Sequence, residues 1–120
     1  MTNRIQELTV DKTWRDEQDA WNNRSNYFVE MHNRDDRKAQ VTEFLSFLKD
    51  ENLLPPKDGC TLDIGCGVCD YALGLAREGH KATGIDLSDG MIRGAKQLAE
   101  SEGLDLSLIL HRGLMRLGVN

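Results

Sequence analysis

The sequence predicts an α/β fold: three strands in a parallel sheet, the first half of a doubly wound arrangement, preceded by N-terminal helices. Three observations carry this reading. All 11 glycines lie between Gly59 and Gly118, and none falls in residues 1–40, where both tryptophans sit. From residue 60 onward, short strand-like apolar runs alternate with amphipathic helical ones, an order that parallel pairing through right-handed crossovers satisfies. A glycine-rich turn, Gly65-Cys66-Gly67-Val68-Cys69, joins the first strand to the helix after it.

The elements follow in chain order. Trp14 and Trp21 are seven residues apart and share one face of a first helix, which Asn22-Asn23 ends. Ser25 is expected to cap a short second helix carrying Tyr27, Phe28 and Met31, and Asp35 or Asp36 a third. In that third helix Val41, Phe44, Leu45 and Leu48 recur at i, i+3, i+4 and i+7, an amphipathic stripe. Pro55-Pro56 is expected to stop it, with 55–59 as a linking turn. Residues 60–64 read as a strand. A helix from about Asp70 to Arg77 is closed by Gly79. Residues 80–86 form a second strand. Ser88 caps the next helix, whose inner face is Met91, Ile92, Ala95, Leu98 and Ala99, and Gly103 closes it. Leu104 to Leu110 is the third strand. The chain thus divides into a helical segment, 1–56, with the makings of a lid, and a partial α/β domain, 57–120.

Composition narrows the function classes. The 120 residues are 39% hydrophobic and 29% charged, suiting one soluble globular domain. The longest apolar runs are far shorter than a membrane span, and residues 1–7 lack the apolar core of a secretory signal, so a cytoplasmic protein that engages no membrane is expected. The net charge of -5, without a basic stripe, argues against a nucleic-acid partner. Cys60, Cys66 and Cys69, an odd number bunched together, make a poor disulfide framework and suit a reducing compartment.

The chemistry concentrates at the glycine-rich turn. Glycines between a strand and a helix let ligand atoms approach the backbone and aim the helix N-terminus at them. Asp63 lies two residues before the first glycine. Asp86 ends the second strand, where a carboxylate can accept hydrogen bonds from ribose hydroxyls. A dinucleotide fingerprint would need glycine at position 70, which is Asp70. The alternative D-x-G-x-G-x-G pattern is matched at Asp63, Gly65 and Gly67.

The segment 62–92, LDIGCGVCDYALGLAREGHKATGIDLSDGMI, resembles the class I S-adenosylmethionine-dependent methyltransferases. The resemblance is sharp over about residues 60–103 and looser over 14–59. It implies a Rossmann-like fold, S-adenosylmethionine as cofactor and a small-molecule methyl acceptor. It further implies that Gly65, Cys66 and Gly67 pass close to the methionine part, that Asp63 helps hold the ammonium group, that Asp86 binds the ribose hydroxyls, and that Leu87 and Met91 flank the adenine. Each position has a plainer reading: a strand-end carboxylate for Asp63, a helix-entry turn for Asp86, core packing for Leu87 and Met91. Trp14, Trp21, Tyr27 and Phe28 read first as helix packing and second as a lid. No catalytic base is assigned, and no metal site is expected.

The sequence departs from the family pattern in two places. Cys69 stands where a third glycine is expected; positive φ there costs roughly 1–2 kcal/mol, and the side chain is expected to crowd the ligand, so glycine should suit the position better. After the third strand, His111-Arg112-Gly113-Leu114 lacks the usual carboxylate, and the tail LILHRGLMRLGVN reads as a truncated or frame-shifted continuation. Strand one would then keep an unpaired edge, open to self-association or a partner chain. Two alternatives to an enzyme stay open: a non-catalytic subunit completed by another polypeptide, and a redox or metal module built on Cys66-Gly67-Val68-Cys69.

Overall fold

The computed structural model describes residues 15–111. Trp14, the rest of 1–14 and the tail from 112 to 120 lie outside the described residues. In order, the elements are a helical stretch over 15–22 (α1), α2 (Ser25–His32), α3 (Asp35–Asp50), β1 (Cys60–Ile64), α4 (Asp70–Arg77), β2 (Lys81–Asp86), α5 (Asp89–Glu102) and β3 (Ser107–Leu110).

The strands form one sheet in the order β1-β2-β3, with both pairings parallel. Leu62 stands opposite Thr83, Ile64 opposite Ile85, and Ile85 opposite Ile109. Because strand side chains alternate, Ala82 and Gly84 are buried on one face. There α4 packs on β1 and β2, and α5 on β2 and β3. On the other face Leu62 and Ile64 are 55% and 60% exposed. The core lies between the sheet and the helices: Val41 and Leu45 from α3, Leu73 from α4, and Met91, Ala95 and Leu98 from α5.

The caps explain where the helices stop. Gly79, at φ 89°, closes α4 while the His80 amide donates to the Leu75 carbonyl at 3.0 Å. Asn52 plays the same part for α3 at φ 58°, with Leu53 N donating to Leu48 O at 2.7 Å. The helix therefore ends at Asp50, before Pro55 can act. The Ser88 hydroxyl accepts the Met91 amide at 3.1 Å, the expected N-cap of α5. The caps expected at Ser25 and Asp35 or Asp36 do not form. Ser25 Oγ donates to Asn22 O instead, and Asp36 accepts from Arg34. Phe44 is 44% exposed and meets Tyr71 edge-on rather than entering the core. β3 starts at Ser107, because Leu104 is still held in the α5 cap, its amide donating to Ala99 O at 2.9 Å.

Candidate functional site

A cavity of about 380 Å³ opens where the C-terminal ends of β1 and β2 meet α1 and α2, at the low end of the size range of small-molecule sites. Its floor is the β1–α4 turn. Gly65 and Gly67 have φ of 70° and 58°, and Cys69 follows at 66°, so the chain turns through left-handed conformations just before α4 starts. The turn is fastened to β2 from both sides. The Gly65 amide donates to Ile85 O at 2.8 Å, and the Gly67 amide donates to Asp86 Oδ2 at 2.9 Å. Asp86 Oδ1 accepts the Ser88 amide at 2.9 Å. Each carboxylate oxygen thus holds one backbone amide and keeps a further lone pair.

The roof comes from the N-terminal helices. Asn22, at the end of α1, accepts through Oδ1 from the Gly90 amide at 2.8 Å and from the Ser88 hydroxyl. Gln18 Nε2 donates to Leu87 O at 3.0 Å. A Cβ on Gly90 would stand 2.9 Å from Asn22 Oδ1 and 3.1 Å from Asn22 Cα, so only glycine allows this approach. The result brings Trp21 and Phe28, ring centroids 6.2 Å apart, to the cavity.

Of the seven residues expected to touch a cofactor, the cavity is lined by Gly65, Cys66, Gly67, Asp86, Leu87 and Met91. Asp63 is not in the lining; it lies half-buried on β1 opposite Gly84. Burial, then the nearby charges of Asp70 and Asp86, push its carboxyl above the usual carboxylate range, against the pull of the Ala72 amide. Of the lid candidates, Trp21 and Phe28 line the cavity and Tyr27 is 56% exposed. Val68, Asp70 and Arg37 complete the lining and were not singled out from sequence as site residues. Arg37 Nη1 is 3.6 Å from Asp70 Oδ2, while its buried Nε has no hydrogen-bond partner among the described residues. No sequence signal marked it, since it arrives from α3.

Cys69 corrects an expectation. It does take positive φ, but its side chain does not crowd the cavity; it is fully buried beneath the turn against Gly84. The adjacent Cys66 sulfur and burial push its thiol far above the ordinary range. Among the described residues, no three of His, Cys, Asp and Glu gather as a metal-ligand set.

Behind the cavity, His32 joins α2 to α4 and α5. It is 2% exposed. Nδ1 lies 2.6 Å from Asp70 Oδ1, and Nε2 lies 3.1 Å from both Glu102 Oε2 and Arg77 Nη2. The hydrogen bond to Asp70 raises its pKa most, against the opposing effect of burial, and Glu102 adds to the rise. Its ionic role rests on partners 38 and 70 positions away, beyond the reach of any local sequence signal.

A family model described as a methyltransferase domain matches residues 61–117. A 23S rRNA uracil-C5 methyltransferase of Shewanella halifaxensis is 32% identical over 76 residues, 63% of this chain and 17% of that protein. The chain spans less than a fifth of the curated relatives it matches. A solved protein of Pyrococcus horikoshii OT3 superposes with a TM-score of 0.57 at 25% identity, covering 66% of this chain and 34% of that one. The magnesium protoporphyrin IX methyltransferase of Synechocystis PCC 6803, solved with bound S-adenosylhomocysteine, gives a TM-score of 0.52 at 25% identity, covering 62% and 34%. The described helices include none long and apolar enough to cross a membrane.

Proposed function

From the premise that this chain belongs to the S-adenosylmethionine-dependent methyltransferase family, we propose that the cavity between the β1–α4 turn and α1–α2 binds S-adenosylmethionine for methyl transfer to a small-molecule acceptor. The observation that carries the reading is the polarity of the lining. Asp70 and Asp86 line the cavity together with the rings of Trp21 and Phe28, and Asp63 lies close enough to feel both carboxylates. A ligand with an ammonium, a sulfonium, two ribose hydroxyls and a flat base is complementary to such a site.

The residues divide accordingly. Gly65 to Gly67 would lie along the methionine part. Asp63 would act on the ammonium from behind the turn, and Arg37, with Nε unpartnered, would take the carboxylate. Asp86 would accept the ribose hydroxyls on the lone pairs its two amide partners leave open. Leu87 and Met91 would flank the adenine, while Trp21 and Phe28 cover the ligand and exclude water. When bound, the cofactor supplies a methyl group activated on sulfur. This chain's part is then orientation and shielding. Three free cysteines support a reducing cytoplasmic setting.

Calorimetry with S-adenosylhomocysteine tests the site. Saturable one-to-one binding is expected. Asp86→Ala, which removes a charged acceptor worth about 1.5–3 kcal/mol, should weaken it roughly 10- to 100-fold. A folded wild-type protein that does not bind, or an Asp86→Ala variant that binds equally well, would sink the proposal.

A second reading has its own support in the exposed Leu62 and Ile64 beside an outer β1 edge that pairs with no other described residue. In that reading further strands, from another segment or polypeptide, complete the sheet. Concentration-dependent self-association, abolished by Ile64→Lys, would support pairing between copies.

A further inference from the structure

The function proposed above uses the backbone of the turn but gives no role to the thiols of its two cysteines, yet the fold brings their sulfurs together. The Cys69 amide donates to the Cys66 carbonyl at 2.8 Å, a turn that keeps the two Cα atoms within the span a disulfide bridges. Below the turn lies Gly84. A Cβ placed there would collide with Cys69 Sγ and stand 2.8 Å from Cys66 Sγ, so both sulfurs border the same spot. Both thiols also face one acceptor, Gly67 O, at 3.3 Å from Cys66 and 3.8 Å from Cys69. Their environments differ. Cys66 lines the cavity and can be reached through it, whereas Cys69 is fully buried and keeps its proton. Cys60, the remaining thiol, sits exposed on β1.

We propose that Cys66 and Cys69 form a peroxide-sensitive dithiol in the floor of the cavity, and that its oxidation to a disulfide and the binding of a nucleoside ligand oppose each other. The second half rests on the cofactor-site reading; the first half does not. In the first step the Cys66 sulfur, as thiolate, attacks one oxygen of hydrogen peroxide. The O–O bond breaks, giving a sulfenic acid and hydroxide, which takes up the proton released by the thiol. The Cys69 sulfur then attacks the Cys66 sulfur, the S–O bond breaks, and water leaves with the Cys69 proton. Two thiols and one peroxide become one disulfide and two waters, and a dithiol reductant reverses the change. A bound ligand would cover Cys66. Bonding the sulfurs would in turn pull on a turn whose amides are tied to β2, and by linkage the factor by which oxidation weakens ligand binding is the factor by which the ligand shifts the dithiol–disulfide equilibrium toward the dithiol.

The test treats the full chain with hydrogen peroxide, then alkylates free thiols and maps the peptides by mass. The expected product has lost two thiols and two hydrogen atoms, with the bridge mapped to Cys66 and Cys69 and removed by a dithiol reductant. Cys69→Ser should instead leave a Cys66 sulfenic acid that dimedone captures. Saturating S-adenosylhomocysteine should slow the wild-type oxidation about fivefold or more, and the oxidised protein should bind it about fivefold or more weakly. Sulfinic acid at Cys66 without a bridge, or bridges formed only through Cys60, would overturn the dithiol. If the bridge forms and calorimetry shows binding that neither slows oxidation nor responds to it, the opposition is wrong. If the bridge forms and no ligand binds, the dithiol stands and the cofactor site falls.

Discussion

Replacing Gly84 with alanine presses on the contact that seats the ligand-binding turn on the sheet. The added methyl would overlap Cys69 Sγ, stand 2.8 Å from Cys66 Sγ and 3.3 Å from Cys66 Cβ. Neither cysteine has an easy retreat. Cys69 is fully buried and precedes α4 in a left-handed conformation, and Cys66 is held through its carbonyl by the Cys69 amide. Overpacking of this kind costs about 1–3 kcal/mol, and the lack of slack puts Gly84→Ala near the top, at about 2–3 kcal/mol. For a domain of this size that lowers Tm by roughly 10–20 °C. Cys69→Ala removes the colliding sulfur, so in that background Gly84→Ala should cost about 1–2 kcal/mol less. Urea unfolding of the wild type, both single variants and the double variant measures the coupling. A cost below about 0.5 kcal/mol, or strictly additive penalties, would refute the packing described here.

Cys69→Gly is now expected to lower stability by about 1 kcal/mol: relief of the left-handed backbone, about 1 kcal/mol, is outweighed by about 2 kcal/mol for emptying a buried site. Thermal unfolding of the two proteins checks the sign, and stabilisation would restore the view that the side chain is in the way. For His32, folding raises the pKa, so its contribution is complete below the unfolded value near 6.5 and is lost as pH rises through the folded value. His32→Gln should therefore cost about 1–3 kcal/mol near pH 6 and less above the folded pKa. Unfolding free energies across that interval that differ by a constant amount would show that the ring does not titrate between Asp70 and Glu102.

Local signals in the sequence were strong where local physics decides the structure. Asp63, Gly65, Gly67 and Asp86 sit on one strand–turn–helix–strand unit, and both Gly79 and Ser88 cap as expected. What the sequence did not reveal comes from contacts between distant segments. Asn22 reads as a helix terminator and does end α1, but its side chain also binds the start of α5, 66 to 68 positions away. Arg37 lies in the first turn of α3 with no local mark of a ligand residue, and α3 carries it to the cavity wall beside Asp70. Cys69 takes the positive φ expected of it, but its side chain turns away from the cavity it was expected to crowd. The side chain's direction depended on the space that Gly84 leaves on β2. Phe44 had the periodicity of a core residue, yet α3 turns Val41 and Leu45 into the core with Leu48 packed against it, and Phe44 pairs with Tyr71 at the surface.

In the reading proposed above, the β1–α4 turn and the end of β2 form one nucleoside-binding site roofed by α1 and α2. Titration of the folded chain with S-adenosylhomocysteine, followed by NMR through its backbone amides and tryptophan indoles, tests it most directly. Saturable shifts are expected at Gly65, Cys66, Gly67, Leu87 and the Trp21 indole, all with one dissociation constant, and little change along the surface of α3 around Phe47. Shifts confined to another surface, or none at millimolar ligand, would sink the assignment.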